Sequence, residues 1–502
     1  MLQSITVRPD PNHWPRTHPD SGLGSGSLLL GRPLHDWQRE TRAAVLGSAD
    51  GPIVVTGHQA SFWHPGIWAR YEAAEAFAVH SRAAALVELI VDQDTNDPLT
   101  FTMPGIVGNT LDAKGFSFQA EGAATASGSD VPVGLRPAVR VEIPGELDAL
   151  PAIAHAGTTL EAMRHELNRH ANEQNLALQV TKTHAALRHV GYGRQLNSNL
   201  HRILLPLSTL MRLPIWDALI QSIAKDPESL HTAYNASVKR FPSAGMAELG
   251  INAQDGLEMP LWIVDRHTGQ RRRAWTDDLS AVGPDQFLPR AILTTAVVRL
   301  VLADVMVHGL GGSQYEQVTD ALIRAWLGVE PAPYTTVSAT VIPGLPANHH
   351  TMDSYHRLKQ RSRWLRYNLH RVGWADDEFT HRYEQLLNTL RSKPRGSQER
   401  QQAFLALRQL QRDGASRYAD HIQQQDQQVD LAARHLASDA FVNLRTAPFM
   451  MYGPADLSDL RARIWGAFSL SPSERPSPNC SSDTPEVCLC RPDSIEESAC
   501  RD

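Results

Sequence analysis

The chain has 502 residues, with 48 Lys and Arg against 54 Asp and Glu and a formal net charge of −6. That length allows two or three domains around a substantial core, and the charge balance points to neither nucleic acid nor a membrane surface as the main partner. All four cysteines (Cys480, Cys488, Cys490, Cys500) fall near the C-terminus. The body therefore has no cysteine nucleophile, disulfide or thiolate metal site, and any catalysis there uses other groups.

Residues 1–50 read as an N-terminal arm, irregular and rich in Pro, Gly and Ser up to Gly31, then helical from His35 to Leu46. Met1 to Asp10 lacks a basic segment followed by an apolar core, so a secretory signal is not expected and cytoplasm is the default. The most informative stretch follows, Pro52 to Gly66. Ile53-Val54-Val55 is a short β-branched run of the kind buried in parallel sheets. After Gly66 the apolar residues Ile67, Tyr71, Ala74 and Ala78 fall at helical spacing. Ala85 to Val91 is a second apolar run that ends in the acidic loop Asp92-Gln-Asp-Thr-Asn-Asp97. Together these segments predict a βαβ unit, which binds ligands at the carboxyl ends of its strands.

Leu99 to Ile143 is glycine-rich with short alternating runs, and about 145–255 reads as a mainly helical insertion with Leu160, Met163, Leu167, Leu204, Leu207 and Leu210 inward. Pro260 to Val264 and Arg271 to Thr276 read as a hairpin around Asp265 to Gly269. Ala291 to Val301 is a buried helix, and Ala303 to Val307 a strand leading into His308-Gly-Leu-Gly-Gly-Ser-Gln-Tyr-Glu316. Ser313 and Glu316 match a capping box, and Ala332 to Ile342 is a further strand. A Rossmann-like core is thus expected over 51–345. A helical coiled-coil arm, a candidate homodimer contact, follows over 346–445, with its third helix running unbroken from Gln398 to about Asp439. Residues 446–469 are expected to return to the core, and 470–502 to be disordered. The longest apolar run, Ala291 to Gly312, is interrupted by Arg299, Asp304 and His308, which argues against a membrane span.

Thr56-Gly57-His58-Gln59 with His64 is the leading site candidate. Gly57 lets backbone N–H groups approach a phosphate while His58 and His64 donate hydrogen bonds to it; the plainer reading is a tight turn with locally bonded histidines. The glycine loop Gly309, Gly311, Gly312 with Ser313 and Tyr315 is a second candidate ligand loop at a helix N-terminus, where an anion is favoured. Asp92, Asp94 and Asp97 fit a divalent cation, an amine or ribose hydroxyl, or an ordinary acidic turn. No ligand spacing enforces zinc on His58, His64 and Asp94, and no metal centre is assigned. Arg271-Arg-Arg273 and the Arg361, Arg363, Arg366 stripe read first as solvated faces, with anion recognition as the minority reading.

Thr56-Gly-His-Gln59, the following helix and the acidic strand end resemble the Thr-Gly-Gln-Gln and Glu-Asp-His-Asp segments of the bacillithiol biosynthesis cysteine-adding enzymes. Leu288-Pro-Arg290 and the Gly309 to Glu316 loop resemble that family's later segment. The resemblance covers roughly residues 50–460. It implies a Rossmann-like core of the nucleotidylyltransferase and class I tRNA synthetase type with helical insertions and a dimerising coiled coil. The implied reaction joins the carboxyl group of cysteine to the amine of glucosaminyl malate. On that basis His58, His64 and Asp94 are expected to be catalytic. Thr56, Gly57, Gln59 and the Gly309 to Tyr315 loop would hold ATP or ADP, with or without magnesium, and Asp92, Asn96, Arg290 and Glu316 would contact a small-molecule substrate. Here His58 stands where the family has Gln, and the late loop lacks Pro-Gly-Glu, which points to a divergent branch. A nucleotidyl- or group-transferase on another metabolite and a non-catalytic nucleotide-binding dimer are the competing readings.

Overall fold

A computed structural model describes residues 2–15, 26–47, 51–107, 110–121, 130–144, 156–190, 200–342, 352–442, 448–449, 452–468 and 488–489. Its centre is a sheet of β1 (Leu2–Arg8), β2 (Ile53–Gln59), β3 (Ala85–Val91), β6 (Arg202–Pro206), β10 (Val305–His308) and β11 (Tyr334–Val341). Two paired strands, β4 (Thr100–Val107) and β5 (Thr110–Ser117), lie outside it, as do β7 (Gly256–Val264), β8 (Arg271–Trp275) and β9 (Phe287–Pro289), which pair with one another. The spatial order is β1-β11-β10-β2-β3-β6, parallel throughout except for β1 against β11. The chain thus runs outward from β2 through β3 to β6, then crosses back to β10 and β11. That is a doubly wound order with its switch point between β2 and β10.

Successive strand residues alternate between two cores. Val54, Leu86, Val305 and Val307 join one, and Ile53, Val55, Val87 and Met306 the other. The helices α2 (Pro65–Ser81), α3 (Ala156–Arg169), α4 (Leu176–Val190) and α13 (Pro454–Ala467) line the first. The second is lined by α1 (Leu34–Leu46), α5 (Pro214–Lys225), α6 (Pro227–Arg240), α7 (Ala291–Val301) and α8 (Leu310–Leu327). Burial on both faces explains why β2 and β3 read as unbroken apolar runs instead of alternating ones.

Several expectations need correction. The N-terminal arm begins with a strand, β1, that closes the sheet edge. The stretch read as a helical insertion contains β6, whose five residues are all buried beside β3. Gly57 makes no turn; it lies inside β2, paired with Leu89, and a Cβ there would come within 2.5 Å of the Leu89 carbonyl oxygen. Helix α2 is not a striped surface helix, since every residue from Trp68 to Ala78 is buried. Ser313 does not cap α8, which starts at Leu310 with Gly309 as its N-cap. The predicted hairpin forms, with Val264 opposite Arg271 and the Asp265 carboxylate accepting from the His267 and Thr268 N–H groups.

Four helices follow the core: α9 (Met352–Tyr367), α10 (Asp377–Ser392), α11 (Gln398–Arg417) and α12 (Ala419–Val442). The long third helix of the arm is in fact two. Tyr418 leaves helical geometry at φ −118° and ψ 26°, and its hydroxyl donates to the Trp374 carbonyl at 2.8 Å. Leu365, Leu369, Phe379, Tyr383, Leu386, Ala403 and Leu407 give these helices a core of their own. The chain then rejoins the sheet's first core: the Tyr452 hydroxyl donates to the Val341 carbonyl at 2.9 Å, and Trp465 Nε1 donates to Glu72 at 3.1 Å. Of the Cys-containing tail only Cys488–Leu489 is described, pairing in parallel with Ile203 and Leu204 of β6; the remainder from Ser471 lies outside the described residues. No described helix is long and apolar enough to cross a membrane.

Candidate functional site

A cleft of about 320 Å³ opens over the carboxyl ends of β2, β3 and β10, at the switch point. This is the place and the size of a small-molecule site in a doubly wound fold. Of the candidates read from the sequence, Gly57, His58, Gln59, Asp94, Gly312 and Tyr315 line it.

His58 sits near the end of β2, with Nδ1 3.1 Å from the Gln59 carbonyl oxygen and its ring edge-on to Trp63. A carbonyl only accepts, so Nδ1 carries the proton and Nε2 keeps a free lone pair. Burial, then the positive charge of Arg70, pushes the imidazole pKa down to about 3. His58 is therefore neutral at physiological pH. It cannot neutralise phosphate charge, as expected from the sequence, but it can accept a hydrogen bond.

The more deeply buried of the cleft's two arginines is Arg70, on the second turn of α2 and only 6% exposed. Its Nε and Nη2 have no hydrogen-bond acceptor, and among the described residues it forms no ion pair. Burial lowers its pKa from the usual arginine value. The guanidinium faces the start of α8, where a Cβ at Gly309 would lie 3.7 Å from Nη1. Since Gly309 caps α8 without a side-chain bond, the N–H groups of the first turn have no intrahelical acceptor. Tyr315, one turn further along, lines the same wall, and burial raises the pKa of its phenol.

The opposite wall carries Gln93, Asp94, Trp262 and Arg271. Gln93 is buried; its Nε2 donates to Thr294 Oγ1 at 3.2 Å, while its Oε1 has no partner. Arg271 donates to the Gln93 carbonyl at 2.6 Å and lies 3.4 Å from Asp94 Oδ1. Its guanidinium packs on the Trp262 ring at 4.5 Å, and that of Arg290 on the same ring at 4.6 Å. Such contacts favour a desolvated cation.

The other predicted residues serve the frame. His64 caps α2, its Nδ1 accepting from Gly66 N–H at 3.0 Å, and does not line the cleft. Thr56 is buried and donates to the Val307 carbonyl, tying β2 to β10. Asp92 accepts from Ser208 N and Oγ, and burial raises its pKa. Asn96 donates to the Ala60 carbonyl at 2.7 Å. Arg290 donates to Glu258 Oε1 at 2.8 Å. Ser313 Oγ donates to the Leu310 carbonyl, and Gly311 is exposed. Glu316 is fully buried, with Oε1 3.1 Å from His308 Nε2 and Oε2 bonded to Arg299. Burial alone would raise its pKa, but the positive field and hydrogen bonds of His308 and Arg299 hold it low.

Sequence reasoning missed Arg70, Gln93, Trp262 and Thr294, and read Arg271 as a solvated residue. One signal was present for Arg70. A helix made of alanine and aromatic residues with Arg70, Glu72 and Glu75 inside it must bury those charges, and a buried charge needs a partner or a ligand. Glu72 meets Arg461 and Trp465, and Glu75 meets Arg202. Among the described residues no group of three or more His, Cys, Asp or Glu side chains is placed to hold a metal ion. No family model matches the chain, and no curated protein is significantly similar to it.

Proposed function

We propose that the switch-point cleft is the active site of a carbon–nitrogen ligase of the cysteine-adding type, acting on a small amine with a nucleotide bound at the carboxyl ends of β2 and β10. The observation that supports this best is a neutral histidine whose free lone pair lies in a cleft with a buried cation on one wall and a carboxylate on the other. Amide formation requires an activated carboxyl group, and a bound adenine nucleotide supplies that activation by adenylation or phosphorylation. The chain's own residues then position the acceptor. A group of pKa about 3 takes up no proton near neutrality, so His58 Nε2 acts by accepting an N–H hydrogen bond and aiming the amine lone pair at the acyl carbon. As the amide C–N bond forms, the acyl–oxygen bond to the activating group breaks, and the proton lost by the amine passes to the Asp94 carboxylate, which Arg271 holds in place.

The test is a calorimetric titration of the full chain with ATP and ADP, with and without magnesium, followed by an assay for cysteine- and amine-dependent amide formation. Nucleotide binding by the wild type, with turnover lost in His58→Gln, supports the reading. A protein that binds neither nucleotide, or whose nucleotide affinity and turnover are both unchanged in His58→Gln, refutes it.

A further inference from the structure

Two buried residues that line the cleft carry polar atoms of opposite kind with no hydrogen-bond partner among the described residues. One is the Arg70 guanidinium, whose Nε and Nη2 have no acceptor and which has no counter-ion among the described residues, its side-chain bond being with the neighbouring Tyr71; the other is Gln93 Oε1. Burying an unpaired guanidinium is among the costliest arrangements a fold can hold, and nearly all buried arginines are matched by a carboxylate. Arg299 illustrates the usual case, bonded to Glu316, Asp320 and the Ala332 carbonyl. Arg70 is directed instead at the uncapped first turn of α8, whose N–H groups carry the positive end of the helix dipole. The region between them therefore concentrates positive potential, and among the described residues no carboxylate pairs with Arg70.

We infer that Arg70 and the first turn of α8 form an oxyanion subsite, and that Gln93 Oε1 accepts a hydrogen bond from an N–H or O–H group elsewhere on the same ligand. The ligand class is a small polar metabolite with a phosphate or carboxylate at one end and an amine or hydroxyl group at the other. This rests on the cleft being the ligand site proposed above. It assigns the anion to Arg70, which lies outside both glycine-containing segments singled out in the sequence. A guanidinium suits either anion, since both accept two N–H bonds from it.

The experiment uses the full chain as wild type, Arg70→Met and Arg70→Lys, with melting followed alone and with orthophosphate, pyrophosphate or L-alanine. Ligands that bind only the folded state raise Tm by mass action. Without ligand, Arg70→Met is expected to melt above the wild type, because an unpaired buried charge has been replaced by an apolar chain of similar length. At least one oxyanion is expected to raise the wild-type Tm and to bind Arg70→Met about ten- to a hundredfold more weakly, the loss of a charged hydrogen bond, with Arg70→Lys intermediate. A response to phosphates alone identifies a phosphoryl group, and a response to alanine alone a carboxylate. The inference is overturned if ligand-free Arg70→Met melts below the wild type, which marks a structural arginine. It is also overturned if no oxyanion raises the wild-type Tm, or if binding is unchanged in Arg70→Met. The melt needs no nucleotide, so a chain that meets these expectations yet ignores ATP and ADP refutes the ligase reading and leaves the subsite standing.

Discussion

The strands on either side of the switch point both carry a histidine at their carboxyl ends, and the two are used in opposite ways. His308, closing β10, is 4% exposed and set against Glu316, which is in turn clamped by Arg299. His58, near the end of β2, has only the Gln59 carbonyl for Nδ1 and lines the cleft. The same contrast holds for the arginines behind them, with Arg299 fully partnered and Arg70 without a counter-ion. On the β10 side the histidine and the arginine meet carboxylates of the chain, whereas on the β2 side neither does among the described residues. A titratable residue at a strand end is thus informative about function only once its partners are known.

The contrast is broken most forcefully on the β10 side. Arg299→Met leaves Glu316 fully buried without its arginine partner, and is expected to cost ~3–5 kcal/mol in urea unfolding. A loss below about 1 kcal/mol would mean that the clamp is not what orders this strand end. The glycines come next. Gly57→Ala drives a Cβ toward the Leu89 backbone, which cannot swing away, and should cost about 2–3 kcal/mol. Gly312→Ala meets the His308 ring at 2.5 Å and should cost only about 1 kcal/mol, because a ring can shift; equal costs would show that His308 is as rigid as backbone.

A pH series sharpens the comparison further. The folded-state pKa of His58 lies near 3, and burial holds His184 well below its ordinary value too. Unfolded histidine titrates near 6.5. Below that value the unfolded chain binds protons that the folded chain refuses, so stability is complete above about pH 6.5 and falls as the pH drops toward 3. The slope is about 1.4 kcal/mol per pH unit for each such histidine. His58→Gln should flatten the curve by one histidine's share, with the remaining slope carried by groups such as His184. An unchanged curve would mean that His58 is solvated enough to titrate normally.

The core was largely legible from residues 53–91 alone. Both apolar runs became parallel strands, with β3 spanning the expected Ala85–Val91, because strands buried on both faces need no alternation to be recognised. The strands β10 and β11 and the hairpin around Asp265 were equally plain. What escaped was set by distant packing. β6 is five residues in a helical stretch, and its place beside β3 depends on the long-range pairing of Ile203 with Val87. Gly57 looked like a turn because a glycine that must clear a neighbouring strand has the same sequence signature as one that must bend. His64 resembled a phosphate ligand, yet its ring serves a backbone N–H two residues away. Arg70 drew no notice because the absence of a partner is a property of three dimensions.

The smallest expected effect lies on the far wall. Asp94 is about one-third exposed and 3.4 Å from Arg271, so the pair adds little to stability, and Asp94→Asn should change unfolding by no more than about 0.5 kcal/mol. Arg271 stays in place without it, held by the Gln93 carbonyl and the Trp262 ring. What the substitution removes is the cleft's negative charge, so affinity for a cationic amine should fall about three- to tenfold while nucleotide affinity is retained, both readable by calorimetry. A loss of nucleotide affinity with amine binding intact would reverse the polarity assigned to the cleft. It would place the anion beside Arg271, and Arg70 would then need another explanation for its missing partner.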